Sequence, residues 1–228
     1  MGKSLENCFI PMKTMDNSTS SDRINNVLMT RVSLVGRMRD QQNEFAWSEF
    51  VNRYRKYLYN YLIRMGIKSY DADDIVQISL VKIWNAMPMF DYQPDKGRFR
   101  AWLCTIAGNT AKNYLRRVKN NGNKTDSLED EIFSDLDTED LLSLSVPPEV
   151  ERIAEDEWLQ YLPELALKQV KHYFDKRTIQ VFLLCSKGVP TAEIARKMQI
   201  SPSAVYVYKS RVAEKVADEV AKLKNEIF

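Results

Sequence analysis

The sequence predicts an all-α protein, two small helical bundles joined by an acidic flexible linker. Three observations carry that prediction. Apolar residues recur at spacings of three and four in several stretches, and none shows clean two-residue alternation. Gly and Pro number only 7 and 8 in 228 residues, too few for a chain of many β-turns. Charge is segregated although the net charge is only +2: residues 91–119 hold 7 basic and 2 acidic side chains, residues 120–164 hold 2 and 14, and residues 165–228 hold 12 and 6. Two basic regions flanking an acidic one suit a polyanion partner, and equally suit solvated helix faces.

Residues 1–29 are polar and centred on Ser18-Thr19-Ser20-Ser21, so they are expected to be disordered. The first bundle spans 30–119. Thr30 is placed to cap a short helix to about Asp40, with Val32, Leu34, Val35 and Met38 as its apolar face. From Glu44 to Met65, the residues Phe50, Tyr54, Tyr57, Leu58, Tyr61 and Leu62 form a wide apolar stripe, and Gly66 ends it. Asp71 is the expected cap of a helix to about Met87, with Asp73 and Asp74 near its positive end. A loop over Asp91–Gly97 leads to a third helix, Arg98 to Lys119. Its apolar side uses Phe99, Trp102, Leu103, Ile106, Ala107, Tyr114 and Leu115, and Trp102 reads as core.

Residues 120–147 read as the linker. They open with Asn-Asn-Gly-Asn, close with Pro147-Pro148, and carry eight acidic and no basic residues between Asp126 and Asp140. The second bundle, 148–228, is expected to hold helices over Pro148–Leu162, Leu165–Phe174, Lys176–Lys187, Thr191–Met198 and Pro202 to about Lys224.

Composition excludes several classes. No apolar run approaches the roughly 18 residues of a membrane span, so no membrane insertion is expected. Met1–Pro11 has no signal-peptide pattern, and three scattered cysteines, Cys8, Cys104 and Cys185, argue for a reducing cytoplasm. The single histidine, His172, leaves little for a His-based metal site or a catalytic triad. Asp71, Asp73 and Asp74 near a helix start fit capping far better than metal binding. Neither a cofactor nor an enzymatic activity is expected.

The segment Gly188–Arg211 has helix-turn-helix form. Thr191 is placed to cap its first helix, and Ile194, small Ala195 and Met198 face inward. Gln199-Ile200 makes the turn with Ile200 as its plug. Ser201 caps the second helix, Pro202 takes a position where a missing N–H costs nothing, and Val205 anchors it. Such a helix lies in the major groove. Its outward residues are expected to be Ser203, Tyr206, Tyr208, Lys209, Ser210 and Arg211, with Ser201 at its start.

On the helix after Asp71, the residues Asp74, Gln77, Val81 and Trp84 share one face that suits a partner helix carrying arginines. Asp71-Ala-Asp-Asp-Ile-Val-Gln77, Trp84, Phe90-Asp91, Gly97, Phe99-Arg-Ala-Trp-Leu103 and Ile106 to Arg117 together resemble region 2 of bacterial sigma factors. The terminal helix-turn-helix resembles region 4. The arrangement is similar to the extracytoplasmic-function group of the sigma-70 family, which keeps these two domains.

The resemblance implies a subunit that binds core RNA polymerase, directs it to promoters and helps open the duplex. It implies that Asp71, Asp73, Asp74, Gln77 and Trp84 dock on the clamp helices of the largest polymerase subunit, and that the second domain sits near the flap of the second largest. It implies −10 element contacts at Phe90, Tyr92, Phe99, Asn109, Lys112, Arg116, Arg117 and Lys119, with a base flipped into a pocket near Asn109. For Phe90, Tyr92 and Phe99, core and base-stacking roles stand equal. The acidic linker then either occupies a basic channel of the polymerase or serves as a tether. An anti-sigma protein often holds members of the group. Two departures stand out. Tyr206-Val207-Tyr208 replaces a stretch where relatives carry a basic residue, Ser and Arg, and Gly108 stands where a bulkier residue is common. The competing readings are a polymerase-independent helix-turn-helix regulator with a sensor or dimerisation bundle, and a helical enzyme.

Overall fold

The computed structural model describes residues 34–91, 98–120 and 138–225. The expected disordered start, Tyr92, the cap Thr30, and the linker from 121 to 137 lie outside the described residues. After a helical stretch over 34–38, whose Leu34, Val35 and Met38 are buried, Asn43 opens the first long helix. Its side-chain oxygen accepts the Ala46 N–H at 3.0 Å. Helix α1 (Glu44–Arg64) buries Ala46, Phe50, Tyr54, Tyr57, Leu58, Tyr61 and Leu62, the stripe expected from the spacing. At its end Gly66 adopts φ +85, and Ile67 N–H reaches back to the Leu62 carbonyl. That left-handed step is open to glycine at little cost.

Helix α2 (Ser69–Ala86) starts earlier than expected. The Ala72 N–H donates to the Lys68 carbonyl at 2.9 Å, so the ladder is already running at Asp71, and Lys68 takes the capping position without a side-chain bond. Asp71 is a first-turn residue and not the cap. A 3-10 turn (Met87–Met89) leads out, and helix α3 (Phe99–Asn120) packs on both α1 and α2. Its Trp102 is core, as expected. Helix α4 (Thr138–Ser143) forms within the span read as linker and packs on α2. Leu141 is buried there, and its carbonyl accepts the Trp102 indole N–H at 2.9 Å.

Helix α5 is continuous over Pro148–Val170 with Pro163 inside it, where the sequence predicted two helices. An internal proline costs about 3 kcal/mol, but Leu162, Leu165 and Ala166 on its two sides are all buried, and that packing carries the helix through. The described chain divides into two compact units, with the boundary inside α5. The first ends at Tyr161 and the second begins at Leu162.

The first half of α5 is therefore part of the N-terminal unit. Trp158 stacks on Tyr54 at 5.8 Å and meets Tyr57 edge-on at 5.4 Å. The Arg100 guanidinium lies over its ring at 4.9 Å. The Tyr57 hydroxyl donates to the Ala154 carbonyl at 2.8 Å and accepts from the Cys104 thiol at 3.2 Å. Arg98 and Arg100 both reach Glu155, at 2.8 and 3.2 Å. Burial opposes the Glu155 charge, but Arg100 and then Arg98 outweigh it, and the carboxyl sits below its ordinary range.

Burial also pushes the Cys104 thiol up to about 12 from an ordinary 9.0. The Tyr57 and Tyr61 phenols are raised in the same direction, again chiefly by burial. Above about pH 9 the unfolded chain releases protons that the folded chain keeps, so the folded state loses ground as pH rises. Urea midpoints measured between about pH 7 and pH 11 are expected to hold level at first and then fall. A midpoint that rises above pH 9 would contradict this.

In the C-terminal unit the end of α5 passes through a 3-10 turn (Lys171–Tyr173) into α6 (Lys176–Ser186). Asp175 caps α6, accepting from the Thr178 N–H at 2.8 Å and from its hydroxyl. Helices α7 (Thr191–Met198) and α8 (Pro202–Asn225) complete the fold and pack on α6 and on each other. The N-cap of α7 is Pro190 without a side-chain bond, so Thr191 opens the helix and does not cap it. Among the described residues there is no strand.

Candidate functional site

Two surfaces hold most of the residues singled out by the sequence, one on each unit. On the N-terminal unit, α2 buries Ala72, Ile75, Val76, Ser79, Leu80 and Ile83. The opposite side presents Asp74, Gln77 and Val81 to solvent, with Trp84 half-buried at its end. The expected stripe is assembled, and Asp71 and Asp73, which the resemblance added to the docking set, lie off it. Asp71 is half-buried beside Tyr114 of α3, whose phenol is raised first by its own burial and then by the charges of Asp71 and Asp74. Asp73 points to Arg55 of α1 at 3.7 Å. Among the described residues no group of three His, Cys, Asp or Glu side chains is placed to hold a metal.

Sequence reasoning missed Trp47. Its ring meets Trp84 edge-on at 4.8 Å, and the two tryptophans with Gln41, Glu44 and Val81 line an open hollow at the end of the stripe. The signal was present, since Trp47 precedes Phe50, Tyr54 and Tyr57 by helical spacings of three, seven and ten. It was hidden because a half-buried aromatic on a core stripe looks like core.

On α3, Asn109 is half-buried and Lys112, Arg116 and Lys119 are exposed, with Arg117 half-buried. For Phe90 and Phe99, where core and base-stacking roles stood equal against the base contact the resemblance implies, the structure shows core. Phe99 is 1% exposed and Phe90 6%. Phe90 meets Trp102 at 4.4 Å, and Phe99 stacks on Trp102 at 5.7 Å and meets Tyr54 edge-on. Neither ring has a face left for a base. The core role wins because four aromatic rings bury one another more fully than a loop position allows. Gly108 leaves room for the Tyr61 hydroxyl, which a Cβ would meet at 3.4 Å, an ordinary contact.

In the C-terminal unit, Val181, Ile194, Ala195 and Val205 form the core of the helix-turn-helix, with Met198, Ile200 and Tyr208 packed against it. Gln199 takes the left-handed conformation at the turn, φ 52, and Ile200 N–H reaches back to the Ala195 carbonyl. Arg177 of α6 donates to the Met198 and Gln199 carbonyls, a lock on the turn that no local pattern announces. Ser201 caps α8 by accepting the Ala204 N–H at 3.1 Å, as expected, and its hydroxyl pairs with that of Ser203 at 2.9 Å.

Ser203, Tyr206, Ser210 and Arg211 are exposed on α8, and Lys209 is half-exposed. Tyr208 corrects the expectation of an outward residue. It follows Val205 by three and precedes Val212 by four, and it lies on that inward stripe. Val207, not singled out from sequence, is exposed in its place.

Two helical units, one bearing a polar and aromatic stripe and the other a locked helix-turn-helix with a basic, hydroxyl-bearing second helix, define a DNA-binding transcription regulator. The model of sigma-70 region 2 matches residues 50–121. That of bacterial regulatory proteins, luxR family, matches residues 173–217, the helix-turn-helix unit. The chain is 30% identical over 186 residues to the RNA polymerase sigma factor NccH of Alcaligenes xylosoxydans xylosoxydans, covering 81% of this chain and 90% of that protein. The chain belongs to the sigma-70 family of RNA polymerase sigma factors. Its part in the cell is in transcription initiation with RNA polymerase.

Proposed function

We propose that the chain is a promoter-specificity subunit of the extracytoplasmic-function kind, acting in the cytoplasm without catalysis of its own. The N-terminal unit, whose functional part is residues 30–119, docks by Asp74, Gln77, Val81 and Trp84 on the clamp helices of the largest core subunit. Trp47 extends that surface. Asn109, Lys112, Arg116, Arg117 and Lys119 on α3 take the single strand of the −10 element, the cations holding phosphate and the amide reading a base edge. Ser203, Tyr206, Lys209, Ser210 and Arg211 on α8 read the −35 element from near the flap of the second largest subunit. Residues 120–147 join the two domains, and an anti-sigma protein is the natural class of regulator.

The observation that supports this best is the joint presence, in one chain, of the region 2 match with its solvent-facing stripe and a complete helix-turn-helix after it. The luxR-family match favours one alternative, a regulator that binds duplex DNA without polymerase. Core RNA polymerase reconstituted with this chain is expected to enrich and transcribe specific duplexes from a random pool. The chain alone is expected to bind the same duplexes weakly and with steep salt dependence. Tight, sequence-specific binding by the chain alone, with no gain from core polymerase, would replace this reading by the regulator.

A further inference from the structure

Helix α8 carries an exposed apolar patch among polar and basic side chains. Tyr206 and Val207 are 61% and 53% exposed, side by side in the second turn. Nothing among the described residues covers them. Val205, Tyr208 and Val212 supply the inward stripe, so the patch is not spare core. It is bounded by Ser203 on one side and by Ser210 and Arg211 on the other, all exposed. Arg196 and Lys197 of α7 are exposed as well. An exposed valine flanked by hydroxyls and cations does not suit a protein core, and charge complementarity selects a polyanion.

In a helix-turn-helix the first turns of the second helix face the floor of the major groove. On that floor the only apolar group is the 5-methyl of thymine. We propose that Val207, with the ring of Tyr206 beside it, reads thymine methyl groups in the upstream promoter element. Specificity at those base pairs then comes from methyl contact and not from guanine hydrogen bonds. This rests on the reading of α8 as the −35 helix. Ser203, Ser210 and Arg211 supply the phosphate and base-edge bonds that set the register, and Val207 supplies the choice of T·A over C·G. An aliphatic branch fits because its two methyls are held stiffly by the helix. Tyr208 has no part, since its ring packs, partly buried, against the core.

The test uses holoenzyme reconstituted from core RNA polymerase and the full chain, on duplexes enriched from a random pool. The upstream footprint is resynthesised with deoxyuridine for thymidine, which removes the methyl and keeps every hydrogen bond. Binding is expected to weaken about fourfold for each methyl that is read. The Val207→Ala holoenzyme is expected to bind thymine duplexes that much more weakly and to be insensitive to the replacement. Putting 5-methylcytosine at a C·G variant of the same position is expected to restore part of the affinity for the unaltered chain only.

Unchanged binding to deoxyuridine duplexes, with binding still lost in Arg211→Ala, overturns the methyl reading and leaves α8 as the −35 helix. Unchanged binding in Val207→Ala, Tyr206→Ala and Arg211→Ala together overturns both. A Val207→Ala holoenzyme that binds thymine and deoxyuridine duplexes as well as the unaltered one, yet initiates poorly, assigns the patch to a protein partner and overturns the proposal.

Discussion

Trp158→Ala is expected to destabilise the N-terminal unit by about 3–5 kcal/mol, although residue 158 lies far beyond the sigma region 2 match. The ring is 2% exposed, packed among Tyr54, Tyr57 and Tyr161, and covered by the Arg100 guanidinium. Truncation removes the transfer energy of a large ring and leaves a cavity between two helices that cannot easily close. It also strips the face that Arg100 rests on, a contribution of up to about 2 kcal/mol where the cation is desolvated. The Arg98 pairs to Glu151 and Glu155 matter little by comparison, because Arg98 is half in solvent. Arg100 is different. Its side chain is nearly sealed off, and removing Glu155 would take away the carboxylate that pairs with a buried charge.

Hydrogen exchange in the full-length chain checks the expectation. Amides of α1 from Tyr54 to Leu62 are expected to lose protection in Trp158→Ala, with a lower urea midpoint for the same unit. Unaltered α1 protection would mean that α5 contributes nothing to the N-terminal core.

That dependence was not legible in the sequence, and the reason is physical. Helix spacing reveals which residues of one helix share a face, so the buried stripe of α1, the face of α3 from Phe99 to Ala107 and the inward face of α7 could be read locally, whereas Leu115, expected on that face of α3, is exposed. Caps are local too, as with Ser201 on α8. Which stripe meets which is a long-range matter. Pro147-Pro148 marks a chain break in composition, yet Ala154 and Trp158 return to α1 some ninety-seven residues away from Tyr57. Pro163 looked like a helix end because propensity is local, and the packing of its neighbours overrides it.

Site residues divide along the same line. The stripe Asp74, Gln77, Val81 and Trp84 was readable from spacing. Asp71 and Asp73 joined the docking set through the family resemblance, but each turns to a different neighbour, Tyr114 and Arg55. The inward turn of Tyr208 was readable, since Tyr208 and Val212 stand three and seven residues after Val205 on one stripe. The polar hydroxyl of tyrosine concealed it.

The second large effect concerns that stripe. Asp74→Arg is expected to weaken binding to core RNA polymerase by about thirtyfold or more, the scale of a central interface residue. Asp74 is exposed, so reversing its charge changes what a cationic partner helix meets without disturbing the bundle. Val81→Lys is expected to act in the same direction, since Val81 is 40% exposed beside the Trp47 and Trp84 hollow and a lysine there would hold water in the contact. Trp84→Ala would also lose binding, but it breaks the edge contact with Trp47 and mixes stability with affinity. Asp73→Ala serves as the comparison, because an exposed pair with Arg55 contributes less than about 1 kcal/mol and lies off the stripe. Titration of core polymerase with each labelled variant, together with its melting temperature, separates the cases. Asp74→Arg binding as tightly as the unaltered chain, at equal stability, would remove the α2 stripe as the docking surface and shift attention to the cations of α3. Binding lost in Asp74→Arg and Val81→Lys but kept in Asp73→Ala would locate the interface on one face of one helix, where the spacing of four residues first indicated it.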